Sequence, residues 1–241
     1  MLIYEPQGRA REYAERALNL YTGCSHGCIY CWAPDVIKKN RETFNKEVEP
    51  RINIIAKLEE ELRKTKIYPK EVLLSFTSDP YQPLELTLRI TRNVISILHN
   101  YDIGVHILTK AGTRATRDFD ILGQNPNDAF ASTLTFIDES QSLEWEPKAA
   151  LPEDRIKAIR QAKEKGIRTW VSLEPVIDPE QSLEIIRQTK DFVDKYKVGK
   201  LNYHKREKEI NWTRFAKEAI ALLKKYNKDY YIKKDLLAYL S

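Results

Sequence analysis

Short apolar segments alternate with amphipathic helical segments along most of the chain, and this alternation limits the possible folds more than any other feature. Six segments have the length and composition of buried strands. They are residues 18–21, 71–76, 104–108, 128–134, 168–173 and 196–201. Strands that alternate with helices form a parallel sheet through right-handed crossovers. Because a closed barrel of eight units needs about 250 residues, the chain is expected to form an α/β fold, an open partial barrel of six units.

Helical spacing and capping residues locate the connecting helices. One helix is expected to open at Pro50, with Ile52 on its inward face. A second is expected to begin at Pro152 and to stop at Gly166, and Asp178 is expected to cap a third. Each helix would link one strand of the sheet to the next.

The last part of the chain has a different composition. It contains an amphipathic helix with Trp212 and Phe215, followed by Tyr230 and Tyr231 among lysines. We expect residues 1–201 to form the partial barrel and residues 202–241 to form a short C-terminal helical cap. The cap would belong to the same globule.

All three cysteines lie in one loop that follows the first predicted strand, as Cys24, Cys28 and Cys31 in the spacing C-x3-C-x2-C. Three thiolates can bind three irons of a [4Fe–4S] cluster and leave the fourth iron open to a substrate. A structural zinc site that adds His26 is an alternative, and so are incidental buried thiols. A disulfide is not favoured, because three cysteines leave one unpaired.

Charge and hydropathy limit the cellular locations and the classes of partner that are expected for the chain. No run of about 18 apolar residues is present, so no membrane span is expected, and the N-terminus lacks the pattern of a signal peptide. These features favour a cytoplasmic, reducing location. The net charge of +5 and the pI near 8.9 permit a polyanionic partner such as nucleic acid without requiring one.

Polar residues follow several of the predicted strands. They are Ser78 and Asp79, Lys110, Ser132 and Thr133, and Glu174. In parallel α/β folds, chemistry collects at the carboxyl ends of the strands. We therefore expect these side chains and the cysteine loop to meet at one mouth of the barrel.

Residues 21–31 (YTGCSHGCIYC) resemble the cluster loop of radical S-adenosylmethionine enzymes, in which an aromatic residue, here Tyr30, precedes the third cysteine. Three further matches are similar to the spore photoproduct lyase-like branch, which is related to DNA repair photolyases. They are Thr77-Ser78-Asp79, Thr109-Lys110-Ala111 and Glu146-Pro147. The resemblance covers roughly residues 16–190.

The resemblance implies a partial (β/α)6 barrel of the radical S-adenosylmethionine type, with a [4Fe–4S] cluster on Cys24, Cys28 and Cys31. Such an enzyme binds S-adenosylmethionine at the open iron. Reductive cleavage then gives a 5′-deoxyadenosyl radical that abstracts hydrogen from a substrate. A flavodoxin or a ferredoxin would supply the electron, and Tyr30 would lie against the cofactors.

The resemblance also implies roles for the residues at the strand ends. Lys110 would pair with the carboxylate of S-adenosylmethionine, and Ser132 or Thr133 would bind that carboxylate or the ribose. Ser78 and Asp79 would bind the amino group or the ribose hydroxyls. A surface lysine at a strand end is the alternative for Lys110, and a turn residue before proline is the alternative for Asp79.

One position departs from the branch. Spore photoproduct lyases have a cysteine just before the T-S-D turn that returns a hydrogen atom to the product, whereas this chain has Phe76. Tyr81 is a candidate substitute, and Glu174 is expected to face the cavity; these two are the expected catalytic residues.

The favoured function is therefore radical chemistry, by a lyase or related reaction, on a nucleic acid or nucleotide. Alternatives are the same chemistry on a small molecule or peptide, and a non-catalytic metal- or cluster-binding module.

Overall fold

A parallel six-stranded sheet forms the centre of the computed structural model, which describes residues 1–240. Its strands, in spatial and sequence order, are β3 (Glu71–Leu74), β4 (Gly104–Thr109), β5 (Ala129–Thr133), β6 (Arg168–Leu173), β7 (Lys195–Val198) and β8 (Asp229–Ile232). Each neighbouring pair is parallel. Two short strands, β1 (Tyr21–Thr22) and β2 (Glu49–Pro50), pair separately and antiparallel. The predicted α/β fold with an open parallel sheet is confirmed.

Helices connect the strands and cover the sheet. They are α1 (Ala33–Val36), α2 (Arg41–Lys46), α3 (Ile54–Lys64), α4 (Glu85–Leu88), α5 (Ile90–His99), α6 (Glu139–Trp145), α7 (Pro152–Glu164), α8 (Pro179–Thr189), α9 (Trp212–Lys225) and α10 (Lys234–Leu237). Within residues 1–240, 3₁₀ helices span Gly8–Glu12, Gly112–Asp118 and Lys205–Glu209. Among the described residues, no helix combines the length and the apolar character needed to cross a bilayer.

The first predicted strand is only partly regular. Ala17 forms a parallel bridge with Leu73, and Leu18 N donates to the Leu73 carbonyl at 3.0 Å. The segment then leaves the sheet, and Tyr21 pairs with Pro50 in the small antiparallel ladder. The chain therefore extends the β3 edge of the sheet for two residues and delivers the cysteine loop immediately afterwards.

The prediction of a helix opening at Pro50 is wrong. Pro50 is in β2, and the helix begins four residues later, at Ile54, after Asn53 adopts a left-handed conformation with φ of 53°. Ile52, predicted to face inward, is 79% exposed. The pairing of Pro50 with Tyr21 outweighs the preference of proline for the first turn of a helix. The predicted starts of α7 at Pro152 and of α8 after the Asp178 cap are confirmed.

The two ends of the chain meet beside β8. Glu12 Oε2 accepts hydrogen bonds from the Tyr231 hydroxyl at 3.0 Å and from Lys234 N at 2.8 Å. Lys197 Nζ donates to the Tyr13 carbonyl at 2.6 Å. The C-terminal segment thus adds an edge strand to the sheet, and the N-terminal 3₁₀ turn is tied to the last two strands.

Candidate active site

One cavity of about 500 Å³ lies where the strands end, as the sequence predicts. One part of its wall, called here the cysteine side, is formed by Cys24, His26, Cys28, Tyr30, Cys31 and Lys110. Another part, the terminal side, is formed by Arg9, Tyr13, Glu174, Lys200, Tyr203 and Lys233. The volume lies within the range of about 300–1,000 Å³ that is usual for small-molecule sites.

The three cysteine thiols are free and all line this cavity. Gly23 allows the loop to begin, because its φ is 79° and an added Cβ would lie 2.5 Å from the Glu47 carbonyl oxygen. Cys24 Sγ accepts a hydrogen bond from Gln82 Nε2 at 3.2 Å. Among residues 1–240, no three His, Cys, Asp or Glu side chains are gathered around a position for a single ion.

Burial favours the protonated form of two of the thiols, Cys24 and Cys28. Burial, followed by the charge of the nearby Asp79 carboxylate, raises the pKa of Cys24 to about 11. Burial also raises the pKa of Cys28 far above its usual value. Thiolates are the ligands of iron–sulfur clusters, so binding must displace these protons. Three cavity-facing thiols from one short loop are a donor set that fits three irons of a [4Fe–4S] cluster.

A buried ion pair holds the cysteine loop from behind. Glu146 pairs with Arg155 at 2.6 Å, and both side chains are almost fully buried. The Tyr30 hydroxyl donates to Glu146, and Ile29 N donates to the Trp145 carbonyl at 2.9 Å. The Glu146-Pro147 pair was singled out from sequence, but Arg155 was missed, since an arginine on an amphipathic helix ordinarily faces solvent.

Lys110 extends from the end of β4 into the same side of the cavity. Its Nζ lies 5.6 Å from the centre of the Tyr30 ring. Burial disfavours its charge, but Cys28 and Glu146 outweigh that effect and raise the pKa of Lys110 above its ordinary value. The lysine is therefore a charged group at neutral pH, placed to bind an anion.

Asp79 and Ser78 also line the cavity, and their side chains form hydrogen bonds with other residues of the chain. Asp79 Oδ1 accepts from Tyr81 N at 2.8 Å and from the Thr109 hydroxyl at 2.7 Å, and Oδ2 accepts from Lys110 N at 2.8 Å. The Ser78 hydroxyl donates to the Gly23 carbonyl at 2.5 Å. These bonds fix the turn after β3 against the cysteine loop and the Lys110 backbone.

The other predicted site residues are divided between the cavity and the core. Thr133 and Glu174 line the cavity. Ser132 donates to the Thr109 carbonyl at 2.7 Å inside the sheet, and Tyr81 is fully buried behind the turn. Neither Ser132 nor Tyr81 is among the described residues that form the cavity wall.

Glu174 organises the terminal side. Its Oε2 accepts from the Tyr13 hydroxyl at 2.6 Å and pairs with Lys233 Nζ at 2.6 Å. Lys233 Nζ also lies 4.5 Å from the centre of the Tyr13 ring. Burial, followed by the charge of Glu174, raises the pKa of Tyr13 well above its usual value, so the phenol stays neutral. Gly199 is required here, because a Cβ would lie 2.6 Å from Glu174 Cδ.

Tyr13 and Lys233 were missed at the sequence level. They are 220 residues apart, and no spacing pattern connects them. Tyr13 also lies against Phe76, with the ring centres 6.1 Å apart. Tyr13, rather than the predicted Tyr81, is therefore a cavity phenol that lies beside the residue at the position of the family cysteine.

An exposed tyrosine marks the rim of the cavity. Tyr203 is 85% exposed, and the Arg9 guanidinium lies 5.0 Å from the centre of its ring. Arg9 also pairs with Asp235, which holds the N-terminal turn to α10. Aromatic rings with an adjacent cation are suitable platforms for planar ligands.

A family model described as the Radical SAM superfamily matches residues 18–193. An uncharacterized protein of Methanocaldococcus jannaschii is 30% identical over 193 residues, which cover 78% of this chain and 71% of that protein. An uncharacterized protein of Mycobacterium tuberculosis is 29% identical over 167 residues, covering 66% of this chain and 49% of that protein. The chain thus spans about half the length of this mycobacterial relative.

Two groups of solved structures share the fold. Spore photoproduct lyase complexed with dinucleoside spore photoproduct has a TM-score of 0.70 at 14% identity, covering 91% of this chain and 76% of that chain. Streptococcus suis SuiB bound to S-adenosylmethionine has a TM-score of 0.67 at 16% identity, covering 93% and 52%. At these identities the likeness concerns the fold alone.

Proposed function

Because the chain belongs to the Radical SAM superfamily, we propose that it performs radical chemistry on a nucleic acid or nucleotide bound at the terminal side of the cavity. The cofactors would be a [4Fe–4S] cluster and S-adenosylmethionine. When bound and reduced, they supply a 5′-deoxyadenosyl radical that abstracts a hydrogen atom from the substrate. The observation that carries the proposal is that the three thiols and the Arg9–Tyr203 platform belong to one cavity.

The residues of the cysteine side would bind and orient the cofactors. Cys24, Cys28 and Cys31 would hold the cluster, and Tyr30 would fix the third cysteine through Glu146. Lys110 is a cation that would bind the carboxylate of S-adenosylmethionine. Ser78, Asp79, Ser132 and Thr133 remain predicted cofactor residues, with Ser132 and Asp79 acting through the backbone that they position.

The terminal side would receive the substrate. A nucleobase can stack on Tyr203, since stacking on aromatic side chains is the usual mode for unpaired bases. Arg9 beside it would meet the phosphate backbone. A structure with the same fold holds a dinucleoside photoproduct. Glu174 is the proposed catalytic residue of this side; the predicted role of Tyr81 as a hydrogen donor would instead suit Tyr13 by position.

The reaction would be that of a lyase or a related radical reaction, with the substrate radical formed in this cavity. We also propose that a flavodoxin or ferredoxin delivers the electron and that the protein works in the cytoplasm. A reducing compartment would keep the three free thiols available to the cluster.

The test is anaerobic reconstitution with iron and sulfide, followed by dithionite and S-adenosylmethionine, with 5′-deoxyadenosine as the product measured. We expect a brown four-iron protein that forms 5′-deoxyadenosine, and Cys28→Ala to abolish its formation. Ser140→Ala, on the exposed start of α6, is the matched control. One equivalent of zinc and no iron would contradict the cluster.

Added DNA, RNA, nucleotides and peptides would then identify the substrate class. The proposal predicts that a nucleic acid or nucleotide stimulates 5′-deoxyadenosine formation, and that binding weakens steeply with salt. Stimulation by a peptide alone would favour the alternative, and SuiB has been solved with its precursor peptide SuiA.

A further inference from the structure

His26 is a buried histidine with an unsatisfied nitrogen at the cysteine side of the cavity. It lies between Cys24 and Cys28, is 2% exposed and lines the cavity. Its Nε2 has no hydrogen-bond partner among the described residues. Buried polar atoms in native proteins are nearly always bonded. The missing partner is therefore expected to come from a molecule that occupies the cavity.

The surroundings of the other ring nitrogen decide whether Nε2 donates or accepts. His26 Nδ1 lies 3.6 Å from Asp79 Oδ2, a carboxylate oxygen that only accepts hydrogen bonds. The negative oxygen favours the tautomer with its proton on Nδ1. In this tautomer Nε2 carries a lone pair and accepts hydrogen bonds. Because Nε2 is then an acceptor, it cannot bond to thiolates or to the sulfides of a cluster, which are acceptors as well. Its partner must be a group that donates a hydrogen bond.

We infer that His26 Nε2 accepts a hydrogen bond from the α-amino group of S-adenosylmethionine, and that Asp79 is a positioning residue that acts through His26. The same Asp79 oxygen that faces His26 accepts from Lys110 N at 2.8 Å. The Asp79 carboxylate thus positions His26, which would accept from the amino group of S-adenosylmethionine, and Lys110, which would pair with the carboxylate group of S-adenosylmethionine. Together they form a site for an α-amino acid, an inference that rests on the proposed use of S-adenosylmethionine.

The test is binding to the reconstituted, oxidised protein, in which no turnover occurs. S-adenosylmethionine is compared with an analogue that lacks the α-amino group, on the wild type and on His26→Leu. We expect His26→Leu to weaken the binding of S-adenosylmethionine about tenfold and the binding of the analogue less than about twofold. Equal weakening of both ligands would overturn the inference, because the two effects would then be independent.

Three further variants separate this role from damage to the loop. His26→Gln, which keeps an acceptor, should recover part of the affinity, whereas Asp79→Asn should lose the discrimination as His26→Leu does. His99→Gln is the matched control, since His99 also pairs with an aspartate, Asp128, at 3.0 Å. Iron content is measured for each variant. If His26→Leu does not load iron, the test uses His26→Gln and Asp79→Asn. The inference is overturned if both variants discriminate between S-adenosylmethionine and the analogue as strongly as the wild type does.

Failure of the proposed function gives a different result. In that case the wild type itself does not bind S-adenosylmethionine. If the wild type binds both ligands equally, the protein binds S-adenosylmethionine but does not recognise its amino group. That result overturns only the inference about His26.

Discussion

The two sides of the cavity are built in different ways. The cysteine side consists of short local segments, and each is fixed by hydrogen bonds to its neighbours, such as Asp79 to Lys110 N and Lys148 N to the His26 carbonyl. The terminal side joins positions from both chain ends, as in the contact of Tyr13 with Glu174 and Lys233. Chemistry shared by a superfamily can thus stay fixed while the terminal side varies with the substrate.

The two sides also balance charge differently. Behind the cysteine side lies a fully buried pair, Glu146 with Arg155, and the cavity there is lined by the cation Lys110 and the Asp79 carboxylate. At the terminal side each cation is paired, Lys233 with Glu174 and Lys200 with Glu207. Burial raises the pKa of the Cys28 thiol and the Lys110 charge opposes it, whereas the cations of the terminal side lie beside carboxylates.

The largest effect is expected from removing the buried ion pair behind the cysteine side. Arg155→Met would leave the buried Glu146 carboxylate without its partner, and we expect the free energy of unfolding to fall by about 3–5 kcal/mol. Urea unfolding of the protein measures it. Adding Glu146→Gln to the same chain should recover part of the loss. A loss below about 1 kcal/mol, as for exposed pairs, would contradict the role given to this pair.

The corresponding break at the terminal side is Glu174→Gln. The Lys233 ammonium would lose its charge partner, so stability should fall by roughly 3 kcal/mol. Iron content and 5′-deoxyadenosine formation without substrate should remain, whereas substrate-dependent product formation should fall about 100-fold. Tyr13→Phe, which removes one hydrogen bond, is the milder comparison at about 1 kcal/mol. Loss of the cluster in Glu174→Gln would show that the two sides are not separable.

The same contrast explains how far the sequence was informative. The alternation of strands and helices predicted the parallel sheet, which is confirmed. The position of Cys24, Cys28 and Cys31 after the first predicted strand predicted a loop at the mouth of the sheet, and all three line the cavity. Segments that follow a strand are placed by the strand itself. Lys110 and Glu174 were therefore found without knowledge of their neighbours.

Features that depend on tertiary pairing could not be predicted. Proline suits the first turn of a helix, which predicts a helix start at Pro50, but the pairing of Pro50 with Tyr21 places it in a strand. Tyr81 and Ser132 lie near the correct strand ends but are buried. Ser132 precedes the cavity residue Thr133 in β5, where one residue along a strand reverses the direction of a side chain, whereas Tyr81 is buried in the loop between β3 and α4. Tyr13 was missed because only the folded chain brings it to Glu174.

Lys197 gives a smaller test, which depends on pH, beneath the terminal side. Its Nζ lies 5.2 Å from the centre of the Tyr13 ring and 4.9 Å from that of Trp170, and burial lowers the pKa of Lys197 to about 8. In the unfolded chain the lysine holds its proton to about pH 10.4. The unfolded state therefore binds more protons between these values, and stability should rise with pH there.

The expected gain from Lys197 is about 2–3 kcal/mol between pH 8 and 10. Comparing the wild type with Lys197→Met removes the contributions of thiols and phenols that both chains share. The difference in unfolding free energy should change with pH in this window and be constant below it. A difference that does not change with pH would mean that water reaches the ammonium and that the terminal side is less closed than the cysteine side.

Tyr203 provides the smallest test, because it concerns binding at the rim rather than the integrity of either side. Tyr203→Ala should weaken a single-stranded oligonucleotide about tenfold, since stacking of one base contributes about 1–3 kcal/mol. Tyr203→Phe should retain the affinity, and Tyr68→Ala, a half-exposed tyrosine outside the cavity, should leave it unchanged. Arg9→Ala should reduce the dependence of affinity on salt by about one unit of slope. If Tyr203→Ala and Tyr68→Ala bind alike, the rim does not read bases, and the terminal side would have to recognise its substrate through Glu174 and Lys233 alone.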